Sequence, residues 1–125
     1  MDNFNSKCKQ KITNQKLNCL ETIYIVVSLL ENKTYNILTT WAIEKTLLDL
    51  GKPTYVKVID MLKNEYRCNL TDCYIHPEYL NAVLKKLSDD SHVAIVVSIT
   101  NELKEFLYKE SIRKFIETII PIDHV

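Results

Sequence analysis

Glycine is almost missing: there is one in 125 residues. Strand-rich domains turn through tight hairpins, and many of those turns need glycine at positive φ. One glycine and three prolines leave few such turns. The same scarcity rules out every glycine-rich chemical motif, from the phosphate loop to the dinucleotide fingerprint and the serine-nucleophile elbow. No HExxH pair occurs either. Net charge is also lacking, with 16 basic residues against 16 acidic ones, where a general nucleic-acid binder carries a basic excess. Long apolar runs are absent too. The longest, Ile23–Val27 and Val93–Val97, fall far short of the roughly 20 residues a membrane helix needs.

What is present is apolar material, 46% of the chain. A chain of this length buries about two-thirds of the surface its unfolded form exposes. One core without metal or disulfide staples is therefore within reach. Met1 to Lys16 is polar, with Lys7, Lys9, Lys11 and Lys16 against Asp2, and it offers no apolar stretch as a signal core. Residues 1–13 read as a flexible basic tail, residues 14–125 as a single helical domain, and the cytoplasm as the location. Asn32-Lys33-Thr34 and Asn69-Leu70-Thr71 match the glycosylation sequon, but without a secretory route they read as chance matches.

Apolar spacing predicts an all-α bundle of about five to six helices. From Asn14 to about Lys33, Leu17, Leu20, Tyr24, Val27 and Leu30 recur at helical spacing. Cys19, Ile23, Ile25, Val26 and Leu29 make this first helix apolar all round, which predicts a central place in the core. A second helix is expected over 36–50, burying Ile37, Trp41, Leu47 and Leu48. Gly51 then suits a left-handed cap and Pro53 the first turn of a third helix. That helix, 53–66, aligns Tyr55, Val58, Ile59, Leu62 and Tyr66. A fourth opens at Pro77 with Leu80, Val83, Leu84 and Leu87. A fifth, 91–108, follows the capping oxygens of Ser88-Asp89-Asp90-Ser91 and aligns Val93, Val96, Ile99, Leu103 and Phe106. The last, 109–120, buries Ile112, Phe115, Ile116 and Ile119 before Pro121. Residues 23–27 and 94–99 are rich in β-branched side chains and suit a strand as well. Their length and the absence of flanking glycine turns favour helix.

Chemistry-bearing residues gather in one connection, from Arg67 to His76. Cys68 and Cys73 are five apart, and His76 follows three later. In a structural reading the two cysteines are buried apolar side chains or a local disulfide, with the bridged and free forms left open. In a metal reading Cys68, Cys73 and His76 bind zinc. Only three ligands are local, so Cys8, Cys19, His92 or a partner chain would have to complete the usual four. In a third reading an acidic thiol beside His76 acts as nucleophile or redox sensor. The structural reading leads, so no catalytic residue, metal or cofactor is expected.

The stretch from about Ala42 to Phe106 resembles a small archaeal helical family of unknown function, similar to the output domain of some thaumarchaeal sensory proteins. The resemblance is carried by Leu50-Gly51-Lys52-Pro53, Leu62 and Tyr66-Arg67-Cys68. Next comes the block Asp72-Cys73-Tyr74-Ile75-His76-Pro77-Glu78-Tyr79-Leu80, followed by Val83-Leu84-Lys85-Lys86-Leu87. Val96, Ile99, Glu102-Leu103 and Phe106 complete it. The family usually carries Phe-Gly after its Leu-Lys-x-Leu segment, where this chain has Ser88-Asp89. The resemblance implies an all-helical fold and a role in signalling or interaction.

These readings converge on a non-enzymatic protein-interaction or signalling-output module, with a homodimer as one form and no membrane partner. The alternative is a helix-turn-helix DNA-binding regulator built from helices 36–50 and 53–66, offering Lys57, Asn64 and Arg67 to a groove. A metal- or thiol-responsive switch at Cys68, Cys73 and His76 is the other alternative.

Overall fold

The computed structural model describes residues 19–121. Among them are five α-helices and no strand: α1 Cys19–Leu50, α2 Lys52–Tyr66, α3 Pro77–Leu84, α4 Asp89–Leu103 and α5 Glu110–Ile119. Short 3-10 turns cover Leu70–Asp72 and Lys104–Phe106. The all-α bundle expected from the apolar spacing is what forms, and the two β-branched stretches at 23–27 and 94–99 are both helical. No described helix is long and apolar enough to cross a membrane. The tail expected at 1–13 lies outside the described residues.

The chain divides into two compact units, Met1–Thr34 and Tyr35–Val125, and α1 contributes to both. In the second unit α3 packs most closely on α5 and on α2, and α4 packs on α5. The buried apolar residues come from every helix. The α5 stripe is the expected one, Ile112, Phe115, Ile116 and Ile119. Of the set expected on α3, Leu80, Val83 and Leu84 are buried, while Leu87 lies beyond the end of the helix and is half-buried against the core. On α2, Val58 and Leu62 are buried, with Tyr55, Ile59 and Tyr66 packed at their edge.

Several expectations are corrected. Two helices predicted at 14–33 and 36–50 are one from Cys19 onward. The polar run Lys33 to Asn36 contains no glycine or proline to break it, and the Thr34 hydroxyl bonds back to the Leu30 carbonyl at 3.0 Å. The first half of α1 is also not core: its apolar side chains are exposed. A helix apolar on every side needs neighbours on every side, and within Met1–Thr34 the described residues supply only this one helix.

In the second half of α1 the buried side is Thr39, Ala42, Ile43, Thr46 and Leu47. Ile37, Trp41 and Leu48 were expected inside and are exposed. The side that turns inward carries Ala42 and two threonines beside Ile43 and Leu47. Lys45 and Thr46 on this segment meet α4 through Glu102 at 2.9 Å and Ser98 at 3.3 Å.

The α4 seam is rotated as well. It consists of His92, Ile95, Val96, Ile99 and Leu103, while Val93 faces out. Ser88 caps this helix by accepting the Ser91 N–H at 3.2 Å. The helix ends at Leu103 rather than 108, and Phe106 falls in the following 3-10 turn. Buried His92 takes part in the packing: its Nε2–H donates to the Ile119 carbonyl at 2.8 Å, tying the start of α4 to the end of α5.

Gly51 does take a positive φ, but φ 130° and ψ 148° lie outside the left-handed helical region expected of a cap. An L side chain rarely enters that region, so the one glycine sits where the backbone demands it.

Thr39 is fully buried, and its Oγ1 has no hydrogen-bond partner. Burying an unmade hydroxyl costs free energy that a methyl group of the same shape does not. Thr39→Val keeps the shape and a similar helix propensity. We expect it to raise the free energy of unfolding by about 1 kcal/mol, read as a higher urea midpoint at unchanged slope.

Candidate functional site

The connection from α2 to α3 is built from local backbone chemistry. Helix α2 ends when Arg67 takes a left-handed conformation, φ 52° and ψ 40°. It is the only non-glycine residue at positive φ among those described. The Arg67 N–H returns to the Lys63 carbonyl at 3.1 Å and the Cys68 N–H to Leu62 at 3.3 Å, so the last α2 carbonyls are satisfied. Asn69 then caps the 3-10 turn: its Oδ1 accepts the Thr71 N–H at 3.1 Å, and its own N–H donates to Asp72 at 3.0 Å. Through this turn Leu70 and Cys73 enter the core. The His76 N–H closes the connection on the Asp72 carbonyl at 2.9 Å.

Both thiols are free, so the local disulfide left open by the sequence does not form. Cys73 is completely buried, and Cys68 is half-buried. Each sulfur lies against a backbone carbonyl, Cys68 near Leu62 at 3.9 Å and Cys73 near Asn69 at 3.8 Å. Burial pushes the Cys73 thiol up to about 12, with Cys68 and then Asp72 adding to the effect. Burial raises Cys68 as well, followed by the Asp72 carboxylate. These are the surroundings of an inert thiol rather than an activated one.

His76 is turned to other partners. It is exposed, its Nδ1 lies 3.0 Å from the Glu78 carboxylate, and its ring stacks on Tyr79 at 4.8 Å. Tyr79 stacks in turn on Tyr66 at 4.7 Å, giving a three-ring column that braces α3 against the end of α2. Among the described residues no group of three or more His, Cys, Asp and Glu side chains is arranged to hold a metal. Of the residues considered to complete such a site, His92 is bonded to Ile119, Cys19 is disulfide-bonded, and Cys8 lies outside the described residues.

Lys57, Asn64 and Arg67, offered by the helix-turn-helix alternative, are all exposed on or just after α2. Asp60 and Glu65 are exposed on the same helix, and Glu65 is paired with Lys86. The sequence gives no sign of two features. One is the stacked column, because it needs residues from two helices. The other is an open groove of about 640 Å³ lined by Ile59, Lys63, Arg67, Cys68 and Asn69. No family model, curated protein or solved structure matches the chain.

Two expected outcomes follow from this geometry. In the folded protein Cys73 should resist a thiol-specific disulfide reagent at pH 8 and react only on unfolding, while Cys68 reacts slowly. A thiol ionising near 12 rather than its ordinary 9.0 carries roughly a thousandth of the thiolate. The unfolded chain loses this proton near 9, whereas the folded chain keeps it until about 12. The fold therefore binds more protons over that interval, and the Cys73 contribution lowers stability as pH rises from 9 toward 12. Equilibrium unfolding of wild type and Cys73→Ala across that range checks it. Separately, Arg67→Gly removes the left-handed strain and should stabilise the fold by about 0.5–1 kcal/mol in urea unfolding.

Proposed function

We propose that this chain is a non-enzymatic protein-interaction module. The observation that supports the reading is the first half of α1. Eight large apolar side chains between Leu20 and Leu30 are 44–78% exposed on a helix unsuited to crossing a membrane. A helix apolar all round is stable in water only when something covers it, and contiguous exposed apolar surface of this kind marks a contact site. The lining of a shallow groove of about 470 Å³, Leu20, Glu21, Tyr24 and Ile25, is mostly apolar, as a contact surface for another protein would be. The thiols of the 67–76 connection are held protonated and its imidazole is engaged, which fits a structural rather than a chemical role.

A cytoplasmic signalling setting is part of the proposal. The signalling part rests on the resemblance to an archaeal sensory output domain read from residues 42–106 in the sequence alone. The test is affinity capture from cell extract, with Tyr24→Lys as the matched control, together with sedimentation of the purified chain. The expected result is either a protein lost in the variant or assembly of the chain itself. A strict monomer that retrieves nothing would sink the reading.

A further inference from the structure

Leu20, Ile23, Val27 and Leu30 are separated by three, four and three residues. On a helix of 3.6 residues per turn this alternation holds side chains in one narrow stripe, the a and d positions of a heptad. All four are exposed. Tyr24 and Val26, at the flanking e and g positions, are exposed as well. Read along the sequence, the same spacing continues through Thr34, Ile37, Trp41, Glu44 and Leu48, about four heptads in all. Thr34 and Glu44 interrupt it, so the apolar a and d positions are unbroken over residues 20–30, where their narrow spacing suits helix pairing.

We infer that residues 20–30 of α1 pair with the same residues of a second copy of this chain in a two-helix coiled coil. The inference rests on the interaction-module reading and names its partner. Two features favour a second copy over a different protein. First, the six positions carry no charge, and an apolar stripe of this spacing is matched by another of the same spacing. Second, the area is sufficient. At the observed exposures the six side chains present on the order of 700 Å² per chain, close to the ~800 Å² that each partner gives to a standard interface.

Sedimentation equilibrium of the full chain tests this. The wild type is expected at twice 14.6 kDa at micromolar concentration. Val27→Lys with Leu30→Lys places two ammonium groups per chain in the seam and should raise the dimer dissociation constant about a hundredfold or more. Asn32→Lys, off the stripe, should leave the constant unchanged. Both variants alter exposed positions, and a helical circular dichroism spectrum with an unchanged urea midpoint would establish that residues 35–121 remain folded. If the double variant fails that check, Val27→Asn replaces it, with the same direction expected.

A wild type found at 14.6 kDa overturns the inference. So does a dimer that survives the lysines. A monomer that still captures a protein through Tyr24 leaves the interaction-module reading standing, whereas a monomer that captures nothing removes both.

Discussion

Residues 35–121 are organised by one requirement: the apolar stripes of α2 to α5 and one side of α1 must close over a shared interior. Every buried apolar side chain described lies in this part of the chain, from Ala42 to Ile119. The requirement sets the rest. It rotates α1 so that Ala42 and the small threonines face inward. It draws Leu70 and Cys73 out of the connection and into the interior. It also leaves Trp41, Ile37 and Leu48 outside, because a helix presents only one side to a given set of neighbours.

The same constraint explains why the 67–76 connection looks chemical in sequence and structural in space. A cysteine drawn inward by packing loses the solvation that a thiolate needs. A histidine at the start of a helix finds a carboxylate two residues on and a ring three residues on, and both occupy it. The residue types of a reactive site are present, but burial and stacking set them to other tasks. The feature that points outward is the bare apolar length of α1, and it is there that a functional account has to begin.

Much of this was legible in the amino-acid order. The stripes of α3 and α5 repeat at helical spacing, with Pro77 opening the one and Pro121 stopping the other, so the period, the start of α3 and the end of α5 were fixed locally. In α4 the apolar residues cover more than half the circumference, so Val93 and Ile95 had equal claims to the seam, and only the position of α5 decides between them. For α1 the ambiguity was physical. An all-round apolar helix is equally the centre of a core or a surface awaiting cover, and spacing alone does not say which. Glu65 with Lys86 and the column of Tyr66, Tyr79 and His76 depend on how two helices meet. The proximity of the thiols to backbone carbonyls depends on the left-handed turn at Arg67, which a residue type that usually avoids that conformation does not announce.

The bond from His92 to Ile119 gives the last third of the chain a clasp. Ser88 and His92 lie at one end of that stretch and the final turn of α5 at the other, so the segment between them is a loop fastened at its mouth. Local opening that begins at the C-terminal turn must first release an imidazole from the interior, and fraying there is coupled to the first turn of α4.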